Sequence, residues 1–394
     1  MSTRTKVLIS FFFLIFLTTA MPGCLAIPEL AERETQTDQI SESYWQIIQL
    51  QDKDNFWIIE ASGSYRQIGR SLGSWYHSQG STPKHLSEEE RKEALSLQEF
   101  YQEVNPEINN QIRGVYDYFG LDYLALTDGV PLSNNQGLEV LLPGLISSHS
   151  CSIVFAGPEL TTDRQALLGR NYDFPDEVDG FTLMFTSPKE GYTTAVITTM
   201  TPGFSAADGI NSEGLALGFA SVIDLGYQPA AEDTLISGYF YRYILEQSRN
   251  VEEAINLLET IPISFLPSNP PGIITHILLA DRSGASAVIE FIPEGIVVSR
   301  SGEPYQILTN NLWYDPEIRS SCERYAKAEV FLEETGLIDS EMMMALLGEL
   351  RGSTQYSVVY NLDSLDLILS TKEDGFSSIY SFSLQDFIES VGAR

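Results

Sequence analysis

A cysteine, an arginine and an aspartate mark the ends of two short apolar runs. The first run is Ser150-Cys151-Ser152-Ile153-Val154-Phe155-Ala156, followed by a turn through Gly157-Pro158. The second is Ala166-Leu167-Leu168-Gly169-Arg170-Asn171-Tyr172-Asp173. Two such runs around a turn are the pattern of a β-hairpin, and closing it brings Arg170 and Asp173 near Cys151. A thiol is a poor nucleophile until it becomes a thiolate, and a neighbouring cation favours that form. If the chain is cut just before Cys151, the freed α-amino group, with a reference pKa of about 7.7–8.0, can act as a base. Asp173 is then placed to hold that amine. The chemistry would be thiol attack on a carbonyl carbon.

The elements around this hairpin must expose its first residue. From Thr127 to Ser150 the chain is rich in Gly, Pro, Asn and Ser, which is linker composition. A cut is expected between Ser150 and Cys151, with Cys151 attacking the Ser150 carbonyl in an N-to-S shift. The released segment would stay packed as a small subunit. Within that segment residues 25–43 read as a polar tether and Phe56-Trp57-Ile58-Ile59-Glu60 as a strand. Helices are expected over 63–73, over 87–104 after Ser87, and from Pro106, where Ile108, Ile112, Val115 and Phe119 share a face. The glycines of the first helix read as a close-packing face.

After Cys151 strand-like runs dominate. They lie at 181–186 and 193–199, on both sides of the turn Asn211-Ser212-Glu213-Gly214, and over Thr275–Glu290 around Asp281-Arg282-Ser283-Gly284. The last pair, Gln355–Tyr360 and Asp366–Ser370, is joined at Asn361–Ser364. One helix is expected over 237–260. His276 sits among apolar residues and reads as a hydrogen-bonded core histidine. This order predicts an α+β fold, two antiparallel sheets packed face to face with helices outside.

Composition narrows the function. The 394 residues are 43% hydrophobic and 20% charged, which suits a packed body rather than a disordered one. A formal net charge of −31 repels nucleic acid and anionic lipid, so a nucleic-acid substrate is disfavoured. Three cysteines (Cys24, Cys151, Cys322) and four histidines (His77, His85, His149, His276) form neither a disulfide framework nor a metal-spaced pair. No metal and no cofactor are expected. Arg4 and Lys6 precede the apolar run Val7–Leu17, the pattern of a secretory signal peptide and too short for a confident membrane span. The mature protein is expected outside the cytoplasm.

Cys-Ser-Ile-Val followed by Gly-Arg-Asn-Tyr-Asp resembles the nucleophile hairpin of cysteine-type N-terminal-nucleophile hydrolases. That group includes choloylglycine hydrolases, penicillin V acylases, acid ceramidase-like amidases and penicillin acyltransferases. Gly63-Ser64-Tyr65-Arg66-Gln67-Ile68-Gly69-Arg70-Ser71-Leu72-Gly73 is similar to a signature of the acyltransferase precursors, and the Ile112-Arg113-Gly114 step to their helix before the nucleophile. The resemblance implies a four-layer αββα sandwich preceded by a mainly helical pro-segment. It also implies roles. Leu308-Thr309-Asn310 is similar to a strand end whose asparagine is an oxyanion donor, so Asn310 takes that role. Ser320-Ser321-Cys322-Glu323-Arg324-Tyr325 is similar to a helix start whose arginine supports the active-site network, so Arg324 takes that one. The stretch Phe219-Ala220-Ser221 lacks the asparagine that some members place there, which leaves a second side-chain oxyanion donor without a candidate. Met21-Pro22-Gly23-Cys24 looks like a bacterial lipoprotein cleavage site with Cys24 lipidated; ordinary cleavage nearby is the alternative.

The expected organisation is a signal peptide over 1–24, a pro-segment over 25–150 and a catalytic domain over 151–394. The leading function is an exported amidase that hydrolyses a linear, non-peptide carbon–nitrogen bond of a small N-acyl amide. Cys151 is the nucleophile, Arg170 and Asp173 organise it, and Asn310 and Arg324 assist. Two alternatives stand: an acyltransferase that passes the Cys151 acyl group to an amine, and an inactive binding protein anchored to a membrane through Cys24. Substrate identity and oligomeric state are not encoded in any motif.

Overall fold

The computed structural model describes residues 44–49, 56–130, 151–174, 180–198, 203–223, 237–261, 273–292, 295–313, 317 and 321–392. The leader, Cys24, the 25–43 tether and Ser150 lie outside these residues. Before Cys151 the described elements are β1 (Tyr44–Gln49), β2 (Phe56–Gly63), α1 (Tyr65–Ser78), β3 (Lys84–His85), α2 (Glu88–Val104), α3 (Pro106–Tyr118) and β4 (Asp128–Gly129). Then come β5 (Ser152–Ala156), β6 (Leu167–Asp173), β7 (Phe181–Pro188), β8 (Thr194–Thr198), β9 (Asp208–Asn211), β10 (Leu215–Ile223), α4 (Ser237–Gln247) and α5 (Val251–Thr260). The rest are β11 (Ile273–Asp281), β12 (Ser286–Ile292), β13 (Gly295–Ser299), β14 (Tyr305–Leu308), α6 (Glu323–Glu334), α7 (Ser340–Glu349), β15 (Thr354–Asn361), β16 (Asp366–Thr371), β17 (Tyr380–Ser383) and α8 (Leu384–Gly392).

Alternation along the strands sorts side chains into layers. Among the described residues the larger sheet has nine strands in the order β1-β2-β7-β8-β9-β10-β11-β12-β13, the smaller six in the order β14-β5-β6-β15-β16-β17. In β10, Leu215 and Leu217 pack outward with helical residues such as Ile68, Leu72, Tyr241 and Leu245. Ala216 and Ala220 pack inward with Ile153, Phe155, Leu168 and Val358 of the smaller sheet. On the far side of the smaller sheet, Val154, Leu167 and Val359 meet Ala328, Met343 and Leu347 of α6 and α7. The layers are therefore helix, sheet, sheet, helix, an αββα sandwich. Each fully buried Leu, Ile or Phe contributes about 1.5–3 kcal/mol to holding them together.

The segment before Cys151 is largely helical but is not a separate layer. Its β1 and β2 extend the nine-stranded sheet, and β2 runs parallel to β7, from Phe56↔Phe181 to Gly63↔Pro188. That pair makes the larger sheet mixed rather than wholly antiparallel. A parallel partner requires a long connection, which the intervening helices and hairpin supply. The glycines of α1 do serve close packing. A Cβ on Gly69 would lie 1.9 Å from the Gln111 carbonyl oxygen, and one on Gly114 would lie 2.1 Å from that of Arg66. Tyr65 also binds this segment to the body, its hydroxyl donating to Glu246 at 2.9 Å.

The helix expected over 237–260 is two helices. Asn250 is extended and its side chain accepts from the Glu253 N–H, which caps α5 and breaks the run. Asn211 links them to the sheet: its side-chain amide donates to the carbonyls of Leu245 and Ser248, both at 2.7 Å.

Candidate active site

Cys151 immediately precedes β5, which pairs with β6 in the register Ser152↔Asn171 and Ile153↔Arg170. The register puts Cys151 beside the end of β6, and its thiol donates to the Asp173 carbonyl at 3.7 Å. Burial pushes the thiol's pKa up, while the Arg170 cation pulls it down and the Asp173 charge pushes it up again. Burial prevails, so in the uncut chain Cys151 is a protonated thiol at neutral pH and needs a base to react.

Arg170 points into the layer between the sheets and is 0% exposed. Its Nη1 donates to the carboxylate of Asp208 and to the Ala207 carbonyl, and its Nη2 to the Phe219 carbonyl at 2.8 Å. The rings of Tyr172 and Phe219 lie 5.0 and 4.9 Å from its guanidinium carbon, within cation–π range. Gly218 leaves the room: a Cβ there would lie 3.3 Å from the Arg170 Cδ.

Asp173 ends β6 and is 3% exposed. Thr354 donates its hydroxyl to Oδ1. Oδ2 is buried and has no hydrogen-bond partner among the described residues. Burial raises the carboxyl's pKa from 3.8 to about 6, against the Thr354 hydrogen bond, the charges of Arg324 and Arg170 and the Gly352 backbone N–H, which lower it. A buried carboxylate oxygen without a partner is costly and calls for a donor.

Arg324 and Asn310 complete the group. Arg324, in the first turn of α6, donates through Nη1 to the Cys151 carbonyl and to the Ser152 hydroxyl at 3.0 Å, and through Nη2 to the Asn310 side-chain oxygen at 3.1 Å. The Asn310 amide in turn donates to the Ser221 carbonyl at 2.8 Å. One of its two N–H bonds is thereby engaged. The turn that carries Asn310 is braced from the larger sheet. His276, buried on β11, donates from Nε2 to the Thr309 carbonyl at 2.8 Å, and Glu290 accepts the Trp313 backbone N–H at 2.8 Å.

The structure thus gathers Cys151, Arg170, Asp173, Asn310 and Arg324 at one end of the inter-sheet layer. Partly buried Phe174, Phe219 and Trp313 pack onto the same core. Among the described residues no three His, Cys, Asp or Glu side chains gather as a metal site. A depression of ≈ 550 Å³ lined by Ile58, Phe185, Phe382 and Asp386 contains none of these five and does not serve this chemistry.

Asp208, Thr354, Tyr356 and Tyr360 escape sequence reasoning. Asp208 alone carried a signal: an acid within the run Ala206-Ala207-Asp208-Gly209-Ile210. A charge on a strand that packs between sheets needs a cation.

The model of a family described as acyl-coenzyme A:6-aminopenicillanic acid acyl-transferase matches residues 160–358, which include Arg170, Asp173, Asn310 and Arg324. A penicillin V acylase of Pectobacterium atrosepticum is 29% identical over 122 residues, 29% of this chain. That match spans 32% of the relative's length, about a third of it. Among solved structures, a penicillin V acylase from Agrobacterium tumefaciens aligns with a TM-score of 0.45 at 17% identity, covering 56% of this chain and 82% of that one. A mutant conjugated bile acid hydrolase from Clostridium perfringens aligns with a TM-score of 0.46 at 18% identity, covering 60% and 93%.

Proposed function

The chain belongs to the acyl-coenzyme A:6-aminopenicillanic acid acyl-transferase family, and on that premise we propose that it is an exported cysteine amidase cleaving a linear, non-peptide N-acyl amide bond. One observation carries the reading. The buried Asp173 Oδ2 lacks a donor among the described residues, on the residue whose backbone carbonyl the Cys151 thiol touches. An α-ammonium or α-amine on Cys151 is the donor that such a place accepts.

Maturation comes first. The Cys151 sulfur attacks the Ser150 carbonyl carbon, and the acyl group moves from nitrogen to sulfur. Water then hydrolyses that thioester, leaving a Ser150 carboxylate and a free α-amine on Cys151. In turnover the α-amine takes the thiol proton while Asp173 orients it, and the Arg170 cation favours the thiolate. The sulfur attacks the substrate carbonyl. Negative charge develops on its oxygen, where one positioned amide N–H such as that of Asn310 contributes roughly 3–4 kcal/mol. Arg324 holds both the Asn310 oxygen and the Cys151 carbonyl, so donor and nucleophile stay in register. The α-ammonium returns the proton to the leaving amine, a thioester remains, and water attacks it with the amine again as base. No metal or cofactor enters these steps. Phe174, Phe219 and Trp313 offer the acyl group an apolar surface.

Acyl transfer is the second reading, favoured by the description of the family itself. There an amine replaces water in the last step. The penicillin V acylase relative favours hydrolysis.

The test is direct. Mass spectrometry of the purified protein should find two fragments meeting at Cys151, and a panel of N-acyl compounds should be hydrolysed. Adding an amine acceptor and analysing products separates transfer from hydrolysis. Cys151→Ala should remain one inert chain; processing and turnover at wild-type levels in that variant would refute the assignment. An intact, inactive wild-type chain would favour a binding protein, tethered through a lipid on Cys24.

A further inference from the structure

Arg170 acts on the Cys151 sulfur with whatever charge its other partners leave it. Those partners are unusual in their arrangement. Asp208 lies on β9 of the larger sheet and reaches across the core to Arg170 on β6 of the smaller one. Both oxygens of its carboxylate are engaged: Oδ2 accepts from Arg170 and from the Tyr356 hydroxyl, and Oδ1 accepts from the Tyr360 hydroxyl. Tyr356 and Tyr360 stand four apart on β15, on one face of the strand next to β6. Asp208, Tyr356 and Tyr360 are all 0% exposed.

A buried ion pair is weak support for stability, because desolvating two charges offsets their attraction. Two more polar groups buried to hold its carboxylate add specificity rather than net stability. What the arrangement fixes is the direction of one carboxylate and the share of the guanidinium charge that it neutralises.

We propose that Asp208, held by Tyr356 and Tyr360, is a positioning residue that acts through Arg170 and sets how readily the Cys151 sulfur ionises. The inference rests on the reading of Cys151 as nucleophile. Asp208 touches neither the sulfur nor the substrate carbonyl; it tempers the cation beside them. Removing its charge leaves Arg170 a stronger field at the sulfur. Removing a tyrosine hydroxyl concentrates the carboxylate charge on Arg170 and weakens that field. Burial holds both tyrosines' pKa values well above the ordinary, so they remain donors across the working range.

The experiment uses the full-length processed protein and reads the rate of Cys151 alkylation by iodoacetamide against pH, with kcat and KM for the best panel substrate alongside. Facing the same sulfur are Asp173 and Arg170 from β6 and the proposed α-amine of Cys151, while Arg324 from α6 holds the Cys151 backbone carbonyl. Tyr172 on β6 and Tyr356 on β15 face Arg170. All but the substituted residue are unchanged in each variant. In Asp208→Asn the midpoint of alkylation should fall by about one pH unit, and kcat should change with KM preserved. In Tyr360→Phe the midpoint should move the other way.

Opposite displacements support the proposal. Midpoints that do not move, or that move together, overturn it and leave Asp208 a structural group. If Asp208→Asn does not fold, Tyr360→Phe decides alone, and an unmoved or lowered midpoint overturns the proposal. A wild-type protein whose alkylation leaves turnover intact ends the nucleophile reading itself, and this inference with it.

Discussion

Arg170 and Arg242 are both buried to within 1% exposure, and each meets one carboxylate. Arg242 meets Glu246 four residues along the same helix, with Nε donating to Oε1 at 2.7 Å. Its Nη2 lies 2.7 Å from the same oxygen but out of hydrogen-bond alignment, and Nη1 has no hydrogen bond either among the described residues. Arg170 instead meets Asp208 from the opposite sheet, with both terminal nitrogens bonded. The helix pair holds two elements together, since Glu246 also takes the Tyr65 hydroxyl of α1. The cross-sheet pair sets a cation beside a thiol. Equal burial of the same two charge types thus joins two helices in one place and, on the proposed function, serves chemistry in the other, and the neighbours decide which.

That contrast breaks if the two arginines respond alike. Arg170→Met should cut kcat by about 10²–10³-fold, measured on the substrate found in the panel. Arg242→Met should leave kcat near the wild-type value. It should lose on the order of 3–5 kcal/mol in urea unfolding, because Glu246 is left buried without its cation. Loss of turnover in both variants, with stability unaffected in the second, would dissolve the distinction.

A pH measurement sharpens the site half of the comparison. The folded Asp173 carboxyl titrates at about 6 rather than 3.8, because burial disfavours its charge. The folded state therefore keeps this proton longer than the unfolded state. Its contribution is fully present below about pH 4 and is lost as pH rises through about 6, a change on the order of 3 kcal/mol. In the uncut Cys151→Ala chain, denaturant unfolding should show that decline, and adding Asp173→Asn should remove it. Once the α-amine is free beside Oδ2, its positive charge should lower the Asp173 pKa and diminish the decline in the processed protein.

The smallest effect belongs to the packing half. Tyr65→Phe removes a hydroxyl donor from a buried carboxylate and should cost about 1.5–3 kcal/mol in urea unfolding. The kinetics of the processed protein should be unchanged, because Tyr65 lies on α1 and not at the nucleophile. A matching fall in kcat would place the α1 contact in the catalytic machinery.

The sequence by itself determined the parts of this protein whose partners are local. Alternation and a turn fix a hairpin's register, so Cys151, Arg170 and Asp173 could be brought together from spacing alone. The Arg242–Glu246 spacing likewise places both groups on one helix face. Glycine spacing in α1 marked a close-packing face, and the structure supplied α3 as its partner. Asn310 and Arg324 were reached through resemblance to known strand and helix ends, not through spacing. Only the tertiary structure decided that Asp208 faces Arg170, that Tyr356 and Tyr360 close around it, that the Ser221 carbonyl holds Asn310, and that β2 lies parallel to β7. The physical reason is that a strand's period tells which face a residue occupies but not what stands opposite it. Which residue meets which across two sheets depends on how the sheets are laid over one another, and that is settled by the packing of the whole core.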